Sequence, residues 1–174
     1  MIVCFGVKAQ AVYVTDLTDG GNAKTYLIES SRCILINYSG YTNGLASTNA
    51  NNCTVTKNID DLNQQFKVEK DGENYYLYSV GAGKYVTTDG AWSESKGTAL
   101  VINKENDGNY PWHICIGTQG INTQVRGQHA PGLIVNGWTT ADEGNRFRIV
   151  DIEATKALPE ITYNFVYGGK TIAT

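Results

Sequence analysis

The stretch Asn74–Trp92, NYYLYSVGAGKYVTTDGAW, sets two short runs of aromatic and β-branched residues on either side of Gly81-Ala82-Gly83. Such side chains suit a pleated, half-buried surface, and a short glycine-bearing link between them reads as a tight hairpin. Working outward, similar runs follow one another along the chain: Tyr26 to Ile28, Cys33 to Ile36, Cys53 to Thr56, Phe66 to Val68, Ala99 to Ile102, Trp112 to Ile116, Leu133 to Val135 and Phe147 to Val150. Gly, Asn, Asp or Ser fill most of the gaps. No segment sustains a 3.6-residue apolar period with caps at both ends, so the chain reads as all-β.

The runs also recur as a pattern. Phe66-Lys67-Val68, Trp112-His113-Ile114 and Phe147-Arg148-Ile149 each place a large aromatic, a polar residue and a β-branched one in succession. Tyr26, Tyr75 and Ile121 each open a run that is followed by a turn and a second run, at Cys33-Ile34-Leu35-Ile36, Lys84-Tyr85-Val86-Thr87 and Gly132-Leu133-Ile134-Val135. Asn74–Trp92 is then the first part of the second of three units, each of roughly 35 to 50 residues and about four strands. Three such units predict a β-trefoil, a barrel closed so that no sheet edge is left open. The alternative is a β-sandwich, which also uses many short strands. Between Val135 and Phe147 the third unit runs short, and one strand there is expected to be shortened or lost.

The totals exclude several function classes. The chain has 174 residues, a net charge of -3, 19 glycines, 3 prolines and 11 tyrosines. A mildly acidic chain is a poor match to the phosphate backbone of nucleic acid. No apolar run approaches the roughly 18 to 20 residues that span a bilayer as a helix.

The two ends read differently from the middle. Residues 1–11, MIVCFGVKAQA, carry a short apolar stretch and then Ala9-Gln10-Ala11, small residues spaced as at a signal-peptidase site. They are expected to be the remnant of a signal peptide, which makes the protein secreted, periplasmic or cell-surface. An ordinary first strand is the plainer reading. Residues 12–158 form the trefoil domain on this reading. Residues 159–174, from Pro159, hold a strand, Gly168-Gly169 and a second strand, the start of a following β domain or a C-terminal hairpin. Cys33 and Cys53 each open a β-like run, and a disulfide between them requires those strands to pair. Cys115, between Ile114 and Ile116, reads as a buried thiol.

Three stretches together resemble β-trefoil domains of secreted glycan-active proteins from gut anaerobic bacteria. They are Val14-Thr15-Asp16-Leu17 with Asn22 to Ile28, the Tyr75–Tyr85 hairpin, and Trp138 followed by Asp142-Glu143-Gly144 and Phe147. The resemblance extends from about residue 12 to about residue 155. More distantly the pattern is similar to ricin-type lectin domains, whose units carry Q-x-W. Here Gln64-Gln65-Phe66 is at best Q-x-F, Tyr110-Pro111-Trp112 lacks the Gln, and Asn145-Arg146-Phe147 lacks both. That family's sugar-binding positions are therefore not transferred. The resemblance implies carbohydrate and the other domains of a larger parent protein as partners, and no cofactor.

Catalytic chemistry finds little support in the residues. His113 and Cys115 alternate on one strand, but the flanking isoleucines argue for burial rather than an activated thiolate. His129 sits in a loop, and no His/Cys pair has zinc-site spacing. Asn103 to Gly108 has the look of a calcium loop without its later oxygen ligands, so a solvated turn is expected. No catalytic residue and no metal site are assigned. Sugar binding needs an exposed aromatic face beside planar donors and acceptors. Trp138 with Asn136 and Asp142 is the first such group, and Trp92 with Asp89 the second. The plainer reading of both loop tryptophans is a hairpin cap over the barrel end, which suits a structural spacer that binds no sugar. A third reading, a trefoil protease inhibitor, rests on the long loop Tyr38–Asn52.

Overall fold

The computed structural model describes residues 10–17, 24–31, 33–37, 44–48, 56–123 and 134–159, and the backbone of 165–167 and 170–173. The first unit contributes β1 (Tyr26–Glu29), β2 (Leu35–Asn37), β3 (Leu45–Ser47) and β4 (Phe66–Asp71). The second contributes β5 (Asn74–Ser79), β6 (Lys84–Val86), β7 (Trp92–Ser93) and β8 (Leu100–Lys104). The third contributes β9 (Trp112–Ile116), β10 (Gln119–Ile121), β11 (Val135–Asn136) and β12 (Arg146–Asp151). A short helix α1 (Ile152–Lys156) follows, and then an antiparallel pair, β13 (Phe165–Tyr167) and β14 (Lys170–Ala173).

Six strands close a ring. β1 pairs with β4, β4 with β5, β5 with β8, β8 with β9, β9 with β12, and β12 returns to β1, every pair antiparallel. The other six strands of the three units form three hairpins, β2–β3, β6–β7 and β10–β11. That is a β-trefoil, with one hairpin and two barrel strands per unit. The link that joins β5 to β6 is as tight as its sequence requires: Gly83 sits at φ 66°, in the left-handed region, and its N–H donates to the Ser79 carbonyl at 2.9 Å.

The register exposes the threefold pattern. Tyr26 lies opposite Phe66, Tyr75 opposite Leu100 and Trp112 opposite Phe147. Phe66, Phe147 and Tyr26 are fully buried and Trp112 is nearly so. Burying each such ring contributes about 1.5–3 kcal/mol before the cost of ordering the chain. The main core joins these rings to Ile28, Val68, Leu77, Ile114, Ile116 and Ile149. A second cluster, Leu27, Ile34, Ile36, Ala46, Val150 and Ile152, lies against it on the β1–β12 side.

Two expectations need correcting. The aromatics Phe66, Trp112 and Phe147 are not equivalent positions: Phe66 and Phe147 lie at the start of fourth strands, whereas Trp112 opens a first strand. The third unit therefore begins at Trp112, not near Ile121, and it lacks no strand. Of the two outcomes expected there, a shortened strand is the one found: β11 is two residues long, as is its counterpart β7.

Candidate functional site

A cleft of about 650 Å³ opens between the second and third hairpins. The β6–β7 turn brings Thr87, Thr88 and Asp89 to one wall, and Ser93, Lys96, Gly97 and Thr98 follow from β7 towards β8. Gln119 of β10 and Val135, Asn136 and Gly137 of β11 and its exit form the other wall. The two groups chosen from the sequence thus meet in one cavity through Asp89 and Asn136.

Each keeps unspent hydrogen-bonding capacity. Asp89 Oδ1 accepts from the Thr87 hydroxyl and from the Ala91 N–H at 3.3 Å, while its Oδ2 has no partner among the described residues. The Thr87 hydroxyl, then the Ala91 N–H, hold this carboxyl below the usual aspartate range, so it is an acceptor at neutral pH. Asn136 Oδ1 accepts the Trp138 N–H at 2.7 Å, which leaves its Nδ2 free of described protein partners. The Gln119 amide, on the same wall as Asn136, is not engaged by any described side chain. Lys96 is committed elsewhere, 2.5 Å from Asp71 Oδ2 and 5.5 Å above the Tyr76 ring.

Trp138 stands one residue beyond the cleft wall and is 52% exposed. Its indole N–H donates to Asp142 Oδ2 at 3.0 Å, and Asp142 Oδ1 accepts the Gly144 N–H at 2.9 Å. Asp142 therefore orients the ring rather than lining the cleft. The backbone of this loop is pinned from below by Asn145, fully buried, whose Nδ2 donates to the carbonyls of Trp138 at 3.1 Å and Thr140 at 2.9 Å. Gly120 completes the support: a Cβ there would lie 1.7 Å from the Trp138 carbonyl oxygen. Asn145, Gln119, Thr87, Thr88 and Thr98 were not chosen from the sequence.

Trp92 is placed differently. It is half-buried, packs on the main core and donates from its indole N–H to Asn37 Oδ1 at 3.1 Å. It does not line the cleft, so of the second predicted group only Asp89 does. Trp112 is a core residue, and its indole N–H donates to the Val14 carbonyl at 3.2 Å.

The other candidates take the plainer reading. Cys115 Sγ is 3.6 Å from His113 Nε2, and His113 Nδ1 is 3.9 Å from Glu105, but both strand residues are buried and burial pushes the Cys115 thiol up. Asp107 spends Oδ1 on the N–H groups of Asn109 and Tyr110 and Oδ2 on Arg146 at 2.7 Å, which makes the 103–108 segment a self-bonded turn. Cys53, His129, most of residues 1–11 and most of the Tyr38–Asn52 loop lie outside the described residues.

No protein-family profile matches this chain, and no curated protein matches it. Solved structures do. A mosquitocidal holotoxin superposes with a TM-score of 0.51 at 14% identity over 73% of this chain, which spans 17% of the toxin chain. A designed threefold-symmetric protein, ThreeFoil, gives 0.50 at 14% identity over 73% of this chain and 98% of its own. A ricin B-like lectin of Macrolepiota procera, solved in complex with lactose, gives 0.49 at 15% identity over 75% of this chain and 96% of its own. At such identities the likeness to the first two speaks for the fold alone. With the closed six-strand ring and its three hairpins, it makes this chain an all-β protein of β-trefoil fold.

Proposed function

We propose that this chain is a non-catalytic carbohydrate-binding module of a secreted, multidomain glycan-active protein, and that the cleft between its second and third hairpins holds the sugar. The observation that carries the reading is the convergence of Asp89 and Asn136 on one cavity lined by hydroxyls and amides, beside an exposed, fixed tryptophan. A neutral sugar presents hydroxyls in fixed directions. Asp89 Oδ2 accepts from one, Asn136 Nδ2 and the Gln119 amide meet others, and the threonine hydroxyls serve either way. Trp138 offers an apolar face to pyranose C–H groups, with its N–H already spent on Asp142.

The trefoil domain is taken as residues 12–158. The residues before it are read as a signal remnant and those from 159 as the start of a further element, which fits a secreted, periplasmic or cell-surface protein. The spacer reading draws support from Trp92, which is spent on the core.

The test is a glycan array probed with the wild-type chain, Trp138→Ala and Asn136→Ala, each checked for folding. Binding that both substitutions weaken by about tenfold or more, equivalent to about 1.4 kcal/mol, is the expected result. A folded wild-type chain that binds no glycan on a broad array supports the spacer instead.

A further inference from the structure

The three seams that join unit to unit are built on equivalent residue pairs. Lys67 faces Tyr78 across β4–β5, Val101 faces Cys115 across β8–β9, and Arg148 faces Glu29 across β12–β1. The first is a cation–π contact at 5.9 Å and the second pairs two apolar groups. Only the third buries a charge, with Glu29 5% exposed. The fold closes the same seam twice without an ion pair, and burying one costs desolvation that its attraction need not repay. The architecture therefore does not explain Glu29.

Glu29 holds two cations. Arg148 Nε lies 2.5 Å from its Oε1 and Lys57 Nζ 2.7 Å from its Oε2. The guanidinium is flanked by the rings of Tyr13 at 4.7 Å and Tyr110 at 5.1 Å, which fix its plane. Its two terminal nitrogens have no described protein partner. All three charged groups line a pocket of about 340 Å³ together with Tyr110, Ser30 and Thr48. Two positive charges against one negative leave the pocket wall with an excess of one positive charge, on a protein whose net charge is -3.

The geometry points to a second binding site: the pocket at the β12–β1 seam takes a singly charged oxyanion, a carboxylate or sulfate group, on the Arg148 fork and Lys57. A planar or tetrahedral oxyanion accepts two parallel N–H bonds from the terminal guanidinium nitrogens. Glu29 and the two tyrosine rings hold that guanidinium in place before the ligand arrives, so little side-chain entropy is lost on binding. The source is either an acidic sugar or a free small anion. Only the first alternative rests on the carbohydrate reading; the anion chemistry stands without it.

The test is an NMR titration of the ¹⁵N-labelled chain, following the Arg148 Nε–H signal, with glucuronate, methyl sulfate (a singly charged sulfate) and glucose as probes. The expected result is a saturable shift with glucuronate or methyl sulfate and none with glucose. Lys57→Met, at a partly exposed position, should keep the fold and weaken the anion by about tenfold or more. Glu29→Gln should strengthen it, because the competing carboxylate is gone. Glucuronate binding more tightly than methyl sulfate assigns the pocket to an acidic sugar, and equal binding assigns it to a free anion. No shift with either anion up to tens of millimolar, or a shift that Lys57→Met leaves unchanged, overturns the site. Anion binding in a chain that ignores every neutral glycan would sink the cleft reading and leave this one standing.

Discussion

Trp138 is exposed yet fixed, and the residues that fix it are themselves polar. Asn136 takes its backbone N–H, Asn145 takes its carbonyl, and Asp142 takes its indole N–H. Asp142→Ala releases the ring, so glycan affinity should fall several-fold by titration calorimetry while the melting temperature barely moves. Asp142→Asn keeps an acceptor for the indole and should fall between the two. Equal losses from both variants would mean that the carboxylate touches the sugar itself. Asn136, Trp138, Asp142 and Asp89 could be singled out in the sequence because loop aromatics beside amides and carboxylates are what sugar recognition requires, and of these Asp89 and Asn136 line the cleft. Gln119 and Thr98 were not, since neutral polar residues in or beside strands carry no signal until two hairpins bring them face to face. Asn145 was missed for another reason: its buried amide has meaning only once the loop folds back over it.

At the scale of elements, the hairpin at Asn74–Trp92 was legible from its glycines and its alternation, and β5, β6 and β7 form there. The phase of the repeat was not. The fourth-strand position occupied by Phe66 and Phe147 is Leu100 in the second unit, so a search for aromatics steps over it. Trp112 then stands in falsely, because it lies directly opposite Phe147 and fills the same layer of the barrel from a first strand. The short helix α1 was not read either, since its five residues are too few to show a period. Its existence rests on Asp151, whose Oδ1 accepts the Ala154 N–H at 2.9 Å while Lys24 Nζ sits 3.0 Å from Oδ2. Burial pushes the Asp151 carboxyl up, but the Ala154 N–H and Lys24 outweigh it and hold the group below its ordinary value. A depressed carboxylate stabilises the fold above its unfolded value of about 3.9 and stops doing so as pH falls through the lower folded value. Asp151→Ala should therefore cost about 1 kcal/mol near neutral pH. The gap between variant and wild-type melting temperatures should close as the pH drops below about 4. A gap that stays constant to low pH would show that the carboxylate does not act as the cap.

Across the whole molecule, the sequence was most legible where physics repeats itself. Three units of short strands demanded closure, and the ring from β1 through β12 supplies it. What the repeat concealed is where the units differ. The seams between them are apolar in one place, cation–π in another and ionic in the third. The cleft between the second and third hairpins takes Asp89 from the β6–β7 turn and Asn136 from β11, and no single repeat contains both. A crystal structure of the chain bound to the tightest oligosaccharide from the glycan array tests the cleft most directly. The sugar should sit between Asp89 and Asn136, within hydrogen-bond distance of both, with a pyranose C–H face against Trp138. A sugar seated on another hairpin, with this cleft empty, would contradict the account.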